Sequence, residues 1–150
     1  MSRVVSGGPS ARRITSQILG ADLWLKRDDI IERKWEPEFS GSGSMTVTPT
    51  SVDASLYVAI PLLSLCYINL IATLTTGGVA SHSVQFSLPF PAKFAKACFS
   101  AVVVDGSFDT ARAQTSQAEG SFVTVNRGSS TNWTLGTDRV ISVSGIYVTA

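Results

Sequence analysis

Between Ala54 and Ala92 the chain has no Asp, Glu, Lys or Arg. A stretch that long and that uncharged must leave water, either by crossing a bilayer or by forming buried strands. The part from Leu56 to Leu74, LYVAIPLLSLCYINLIATL, has about the length a spanning helix needs. Against a span, Pro61 interrupts it, Asn69 lies near its middle, and no Lys or Arg flanks either end to set an orientation. Val, Ile, Tyr and Thr are frequent, and these residues suit strands. The run is therefore expected to form two adjacent buried strands, with a new element starting at Pro61 and no membrane insertion.

The charge missing from the middle is concentrated before it. Up to Glu38 stand seven of the 12 basic residues (Arg3, Arg12, Arg13, Lys26, Arg27, Arg33, Lys34) and six of the 11 acidic ones (Asp22, Asp28, Asp29, Glu32, Glu36, Glu38). The change falls beside Pro37 and the Gly-Ser run Ser40–Ser44, which places a boundary there: an arm over 1–38 and a head over 39–150. At 150 residues and 44% hydrophobic content the chain has room for one real core and no second domain. A net charge of +1 creates no global field toward nucleic acid, which is not an expected partner.

In the arm, Ser10 can cap a short helix that runs through Leu19, with Gly20 as its stop. Asp22 can cap a second one, in which Trp24, Ile31 and Trp35 share one side and Pro37 ends the helix. Ile14, Ile18, Leu19, Trp24, Ile31 and Trp35 are the candidate docking residues. A terminal segment of this polar, Gly-containing composition orders only when something holds it, so the arm is expected to dock on a partner chain.

From Ser44 onward, period-two patterns alternate with turn residues. Candidate strands are Ser44–Thr48, Ser55–Ile60, Leu63–Leu74, Ser83–Leu88, Cys98–Val104, Thr110–Thr115, Ser121–Asn126 and Val140–Val148. Between them lie turn signals such as Gly77-Gly78 and Asp105-Gly106, with a short helical turn expected over Pro91–Lys96. This spacing indicates an all-β sandwich or barrel. So few charges give a head little surface to face water, and a homotrimer is expected to cover it.

Catalytic constellations are short of parts. The single histidine, His82, has no nucleophile-elbow pattern near it and no positional link to Asp105 or Asp109, so no catalytic residue is expected. One His and two separated cysteines cannot make a four-ligand zinc site, and no phosphate-binding Gly-rich motif occurs, so neither a metal nor a cofactor is expected. Asp105-Gly106-Ser107-Phe108-Asp109 reads as a turn rather than a calcium loop. Asp53, Asp105, Asp109, Glu119 and Asp138 are too scattered to suggest a paired-carboxylate glycosidase. Cys66 and Cys98 lie in apolar runs and read as buried thiols, with a disulfide between them as the alternative. No apolar stretch follows Met1 as a secretory signal would require, which points to assembly in a cytoplasm. Binding a sugar without cutting it asks for less, and Asn132, Trp133, Asp138 and Arg139 form the best aromatic and polar loop cluster, with Trp133 as a core anchor the competing reading.

Four pieces carry a resemblance: Trp35-Glu36-Pro37-Glu38-Phe39-Ser40-Gly41-Ser42-Gly43-Ser44-Met45-Thr46-Val47, Gly77-Gly78 before a strand ending Phe86-Ser87-Leu88-Pro89, the Asn132-Trp133 loop, and Ile141-Ser142-Val143-Ser144-Gly145-Ile146-Tyr147. In order and spacing the chain from Trp35 to Ala150 resembles the C-terminal β-modules of tailed-bacteriophage fibre and appendage proteins. The resemblance implies a trimeric, antiparallel jelly-roll-like β-sandwich head in a virion, often contacting a host surface glycan, and here the head follows the short, partly helical arm read from the residues above. Unlike long tail fibres, the chain has no shaft, coiled-coil stem or repeat. A non-enzymatic head fibre or capsid decoration protein, its arm held by a capsid, portal or tail component, would suit a short arm joined directly to a head.

Overall fold

The computed structural model describes residues 11–16, 21–26, 29–117, 120–129 and 131–150. Ala11–Ser16 (β1) and Ala21–Lys26 (β2) pair antiparallel as a two-stranded sheet. The other strands are Ile31–Lys34 (β3), Phe39–Gly41 (β4), Met45–Ile60 (β5), Leu65–Gly78 (β6), Ser83–Ala92 (β7), Cys98–Val104 (β8), Phe108–Thr115 (β9), Gly120–Arg127 (β10) and Gly136–Val148 (β11). These make one antiparallel sheet in the order β3-β5-β6-β11-β8-β9-β10-β7-β4.

The uncharged run forms two strands, β5 and β6, paired from Met45↔Gly78 to Ile60↔Leu65. Pro61 opens the 3-10 turn Pro61–Leu63 between them, where its fixed φ and missing N–H cost nothing. Ser64 completes the reversal with φ 51°. Among the described residues no helix is long and apolar enough to cross a membrane. β5 is longer than the two strands expected from its sequence, because two register shifts carry it past Pro49 and Asp53 without ending the pairing.

The sheet curls so that its inner face encloses one core. Cys66, Ile68, Leu70, Ala72 and Leu74 alternate inward on β6 and meet Val84 and Phe86 of β7, Val123 and Val125 of β10, and Ile141 and Val143 of β11. The curl brings the end of β7 to the end of β11, strands not adjacent in this order: Lys93 N donates to Val148 O at 2.8 Å and Ala150 N to Pro91 O at 2.9 Å. Tyr147, buried at this closure, donates its hydroxyl to Phe90 O at 2.9 Å.

Three expectations need correcting. The helices read over 10–19 and 22–35 are not present in the described residues, where β1, β2 and β3 stand instead. For β3 the reason is non-local: the edge of β5 from Leu56 to Ala59 offers unpaired backbone groups, and Ile31–Lys34 pairs with them, with Glu32, Arg33 and Lys34 blunting the new edge. The turn expected to be helical over Pro91–Lys96 instead begins as strand, and the chain reverses at Lys96 with φ 59°, where Lys96 N donates to Thr115 O. Cys98 is exposed at the start of β8, since alternation turns Phe99 inward and its neighbour out; Cys66 is buried, and both are free thiols.

Of the docking residues, Trp35 and Ile31 belong to this sheet. Trp35 packs on the core, meets Tyr57 edge-on at 6.5 Å, and donates its indole N–H to Ser87 O at 3.1 Å. Ile31 is half-buried opposite Ala59. Ile14 and Trp24 lie on β1 and β2, paired with Leu23 and Arg13 respectively. Ile18 and Leu19 lie outside the described residues.

Candidate functional site

At one end of the sheet the β6–β7 turn, the β8–β9 turn and the connection from β10 to β11 come together around one carboxylate. Gly106 takes φ 77° in the β8–β9 turn, closed by Asp105 N donating to Ser107 O, and this aims the Asp105 side chain inward. Asp105 is 4% exposed. A buried carboxylate is tolerated only when paired and hydrogen-bonded, and this one is satisfied on both oxygens. Arg127 Nη1 lies 2.8 Å from Oδ2 and Arg139 Nε 2.9 Å from Oδ1. Thr134 N donates to Oδ2 at 2.9 Å and the Thr134 hydroxyl to Oδ1. With both oxygens taken, the segment does not offer a calcium loop.

Arg127 extends the network. Its Nη1 also donates to Asn132 O at 3.1 Å, and its Nε lies 3.5 Å from Asp109 Oδ2. Asp109 in turn accepts from Ser129 Oγ at 2.9 Å. That hydrogen bond first, and the Arg127 guanidinium after it, hold the Asp109 carboxyl below its ordinary value.

The sugar-binding cluster read from the sequence is divided by this arrangement. Trp133 is fully buried among the core residues, where its ring turns no face to a surface ligand. Asn132 is exposed, its amide reaching Ala80 O at 3.4 Å. Arg139 is committed to Asp105 and to the carbonyls of Thr134 and Leu135. Asp138 is exposed with φ 62° and accepts from the Thr137 hydroxyl.

Beside the network lies a cleft of about 340 Å³. Arg112 and Asn126, opposite each other on β9 and β10, form one wall, with the exposed His82 and Thr131 on the approaching loops. Among the described residues its lining has no Asp or Glu, and His82 is its only ring. Sequence reasoning missed Arg112 because nothing local marks it. A smaller cavity of about 200 Å³ lies between Trp35, Pro37 and the bulged part of β5 at Val52 and Asp53. No group of three or more potential metal ligands occurs among the described residues.

The outer face of the sheet has two distinct halves. On β5, β6, β11 and β8, alternation and register turn Leu56, Val58, Tyr67, Ile71, Ile146 and Val102 outward, separated by Asn, Ser and Thr. On β9, β10, β7 and β4 most outward positions are polar, with Ser40 Oγ bonded to Gln85, Gln85 to Thr124 and Ser83 to Asn126, and Phe108 and Phe122 are the exposed apolar exceptions. Compared with protein-family models, curated proteins and solved structures, the chain matches none.

Proposed function

We propose that the protein is a non-enzymatic structural module that self-associates through the outer face of β5, β6, β11 and β8 and is held to a larger assembly by its N-terminal arm. The observation carrying this reading is the contrast between the two outer halves. The half on β9, β10, β7 and β4 is mostly bridged by its own hydrogen bonds, with Phe108 and Phe122 exposed on it, while the other presents Tyr67, Ile71 and Ile146 with no charged residue on β6 or β8. Ile146 is 62% exposed there. Soluble monomers rarely leave a face with so few charges and with apolar side chains exposed on it, and a second copy of the chain covers it without needing charge complementarity.

We read the curled sheet as a jelly-roll-like sandwich and the assembly as a homotrimer in a tailed-phage virion, the arm docking on a capsid, portal or tail component. Supporting this are the resemblance from Trp35 to Ala150 and a site built from structural ion pairs rather than from a nucleophile and base. Residues 31–35 are part of the sheet and core, so the arm to remove is 1–28. A chain lacking 1–28 is expected to fold and self-associate but not to join particles; incorporation at the level of the full chain would contradict arm docking.

A further inference from the structure

The cleft at His82 and Arg112 is chemically one-sided. Arg127, at its edge, is already balanced by Asp105 and Asp109. Arg112 is exposed and has no acidic partner among the described residues, although it stands on a sheet whose other outward neighbours are uncharged. Asn126 spends its carbonyl oxygen on the Ser83 hydroxyl at 2.6 Å, which turns its amide N–H groups to the cleft as donors. Thr110 and Thr131 add hydroxyls to the lining. A guanidinium and an amide side by side, with no carboxylate among the described lining residues, select an acceptor-rich anion, and the planar guanidinium suits a carboxylate.

We propose that this cleft binds a small hydroxylated carboxylate, the chemistry of an acidic sugar, with Arg112 taking the carboxylate and Asn126 and the threonine hydroxyls taking the ring oxygens. The volume of about 340 Å³ lies in the range of small-ligand clefts. A neutral sugar would need an aromatic platform to stack on, and Trp133 is buried away from the surface, so charge must supply the affinity. The site uses neither the apolar outer face nor the arm, and stands or falls apart from the assembly reading.

The test is titration of the full chain with D-glucuronate, D-glucose and inorganic phosphate, followed by calorimetry and by the amide shifts of Arg112 and Asn126. Glucuronate is expected to bind at least about tenfold more tightly than glucose, and Arg112→Gln to lose at least about tenfold in affinity with an unchanged melting temperature, a loss of about 1.4 kcal/mol. Asn126→Ala is expected to weaken glucuronate as well. Equal binding of glucose, no binding of glucuronate, or an Arg112→Gln variant that binds normally would overturn the proposal. Phosphate binding as tightly as glucuronate would reduce the cleft to a general anion site and overturn the sugar assignment.

Discussion

Arg127 and Asp105 lie 2.8 Å apart, the carboxylate wholly buried and the arginine nearly so, and this pair ties the end of β10 to the β8–β9 turn. Arg139 reaches the same carboxylate from β11. Removing the acid would strand two partly buried cations and the Thr134 N–H. Asp105→Ala is expected to cost about 3 kcal/mol, measured as a shift in the urea midpoint. Asp105→Asn, which keeps one acceptor, should cost less. A midpoint unchanged in Asp105→Ala would mean that the network does not hold these loops.

Trp133 tests the reading of its loop. As a fully buried side chain it should cost about 3–5 kcal/mol when cut to Ala. Its indole N–H has no hydrogen-bond partner among the described residues, so Trp133→Phe sheds an unsatisfied donor and should be far milder. Equal losses in the two variants would show that the indole N–H is engaged after all.

Gly78 should resist substitution. It takes φ 76°, and an added Cβ would strike Ser44 O, which accepts from Val79 N across the same turn. Gly78→Ala is expected to destabilise by more than about 1 kcal/mol, seen in thermal unfolding. A neutral effect would contradict the close approach of β5 to this turn.

Stability should fall in alkali. Burial pushes the Cys66 thiol above its ordinary value of 9.0, the Tyr147 hydrogen bond opposing it weakly, and burial followed by Cys66 raises Tyr147 above 10.0. Both groups stay protonated in the fold at pH values where the unfolded chain releases their protons. Their contribution is complete below about pH 9 and is lost as the pH rises toward the raised folded values. Asp109 has the opposite sign: its lowered value gives a contribution present above pH 3.8 and lost on further acidification, and solvent contact at its half-buried side chain keeps that contribution small. Urea midpoints from pH 7 to 11 should decline in the native chain and decline less in Cys66→Ala; identical slopes would contradict the assignment to Cys66.

The all-β class was legible because alternation from Cys66 to Thr76 repeats without a break and Pro61 marks the reversal between its two strands. What was not legible is non-local. Ile31–Lys34 looks helical beside Trp24 and Trp35, and only the open edge of β5, far along the chain, makes it a strand. The Asp105 turn could be read from Asp-Gly, but the arrival of Arg127 and Arg139 at its carboxylate depends on how β10 and β11 end. One sign was available in advance: three of the few charges in an apolar head sit next to turns, where a buried ion pair can be reached from solvent-facing loops. Trp133 could be read as a core anchor or as a surface aromatic beside polar neighbours, and the packing of the curl makes it the core anchor, the largest fully buried side chain among the described residues.

The central claim is that the apolar outer face of β5, β6, β11 and β8 is covered by further copies of the chain. Sedimentation equilibrium of the full chain and of Ile146→Lys at micromolar concentration tests it most directly. The native chain is expected to sediment as three copies of 15.9 kDa, and Ile146→Lys, with a charge placed on the exposed face, to shift toward one copy while keeping its fold. A native chain that sediments as a single folded copy across that range would contradict the claim.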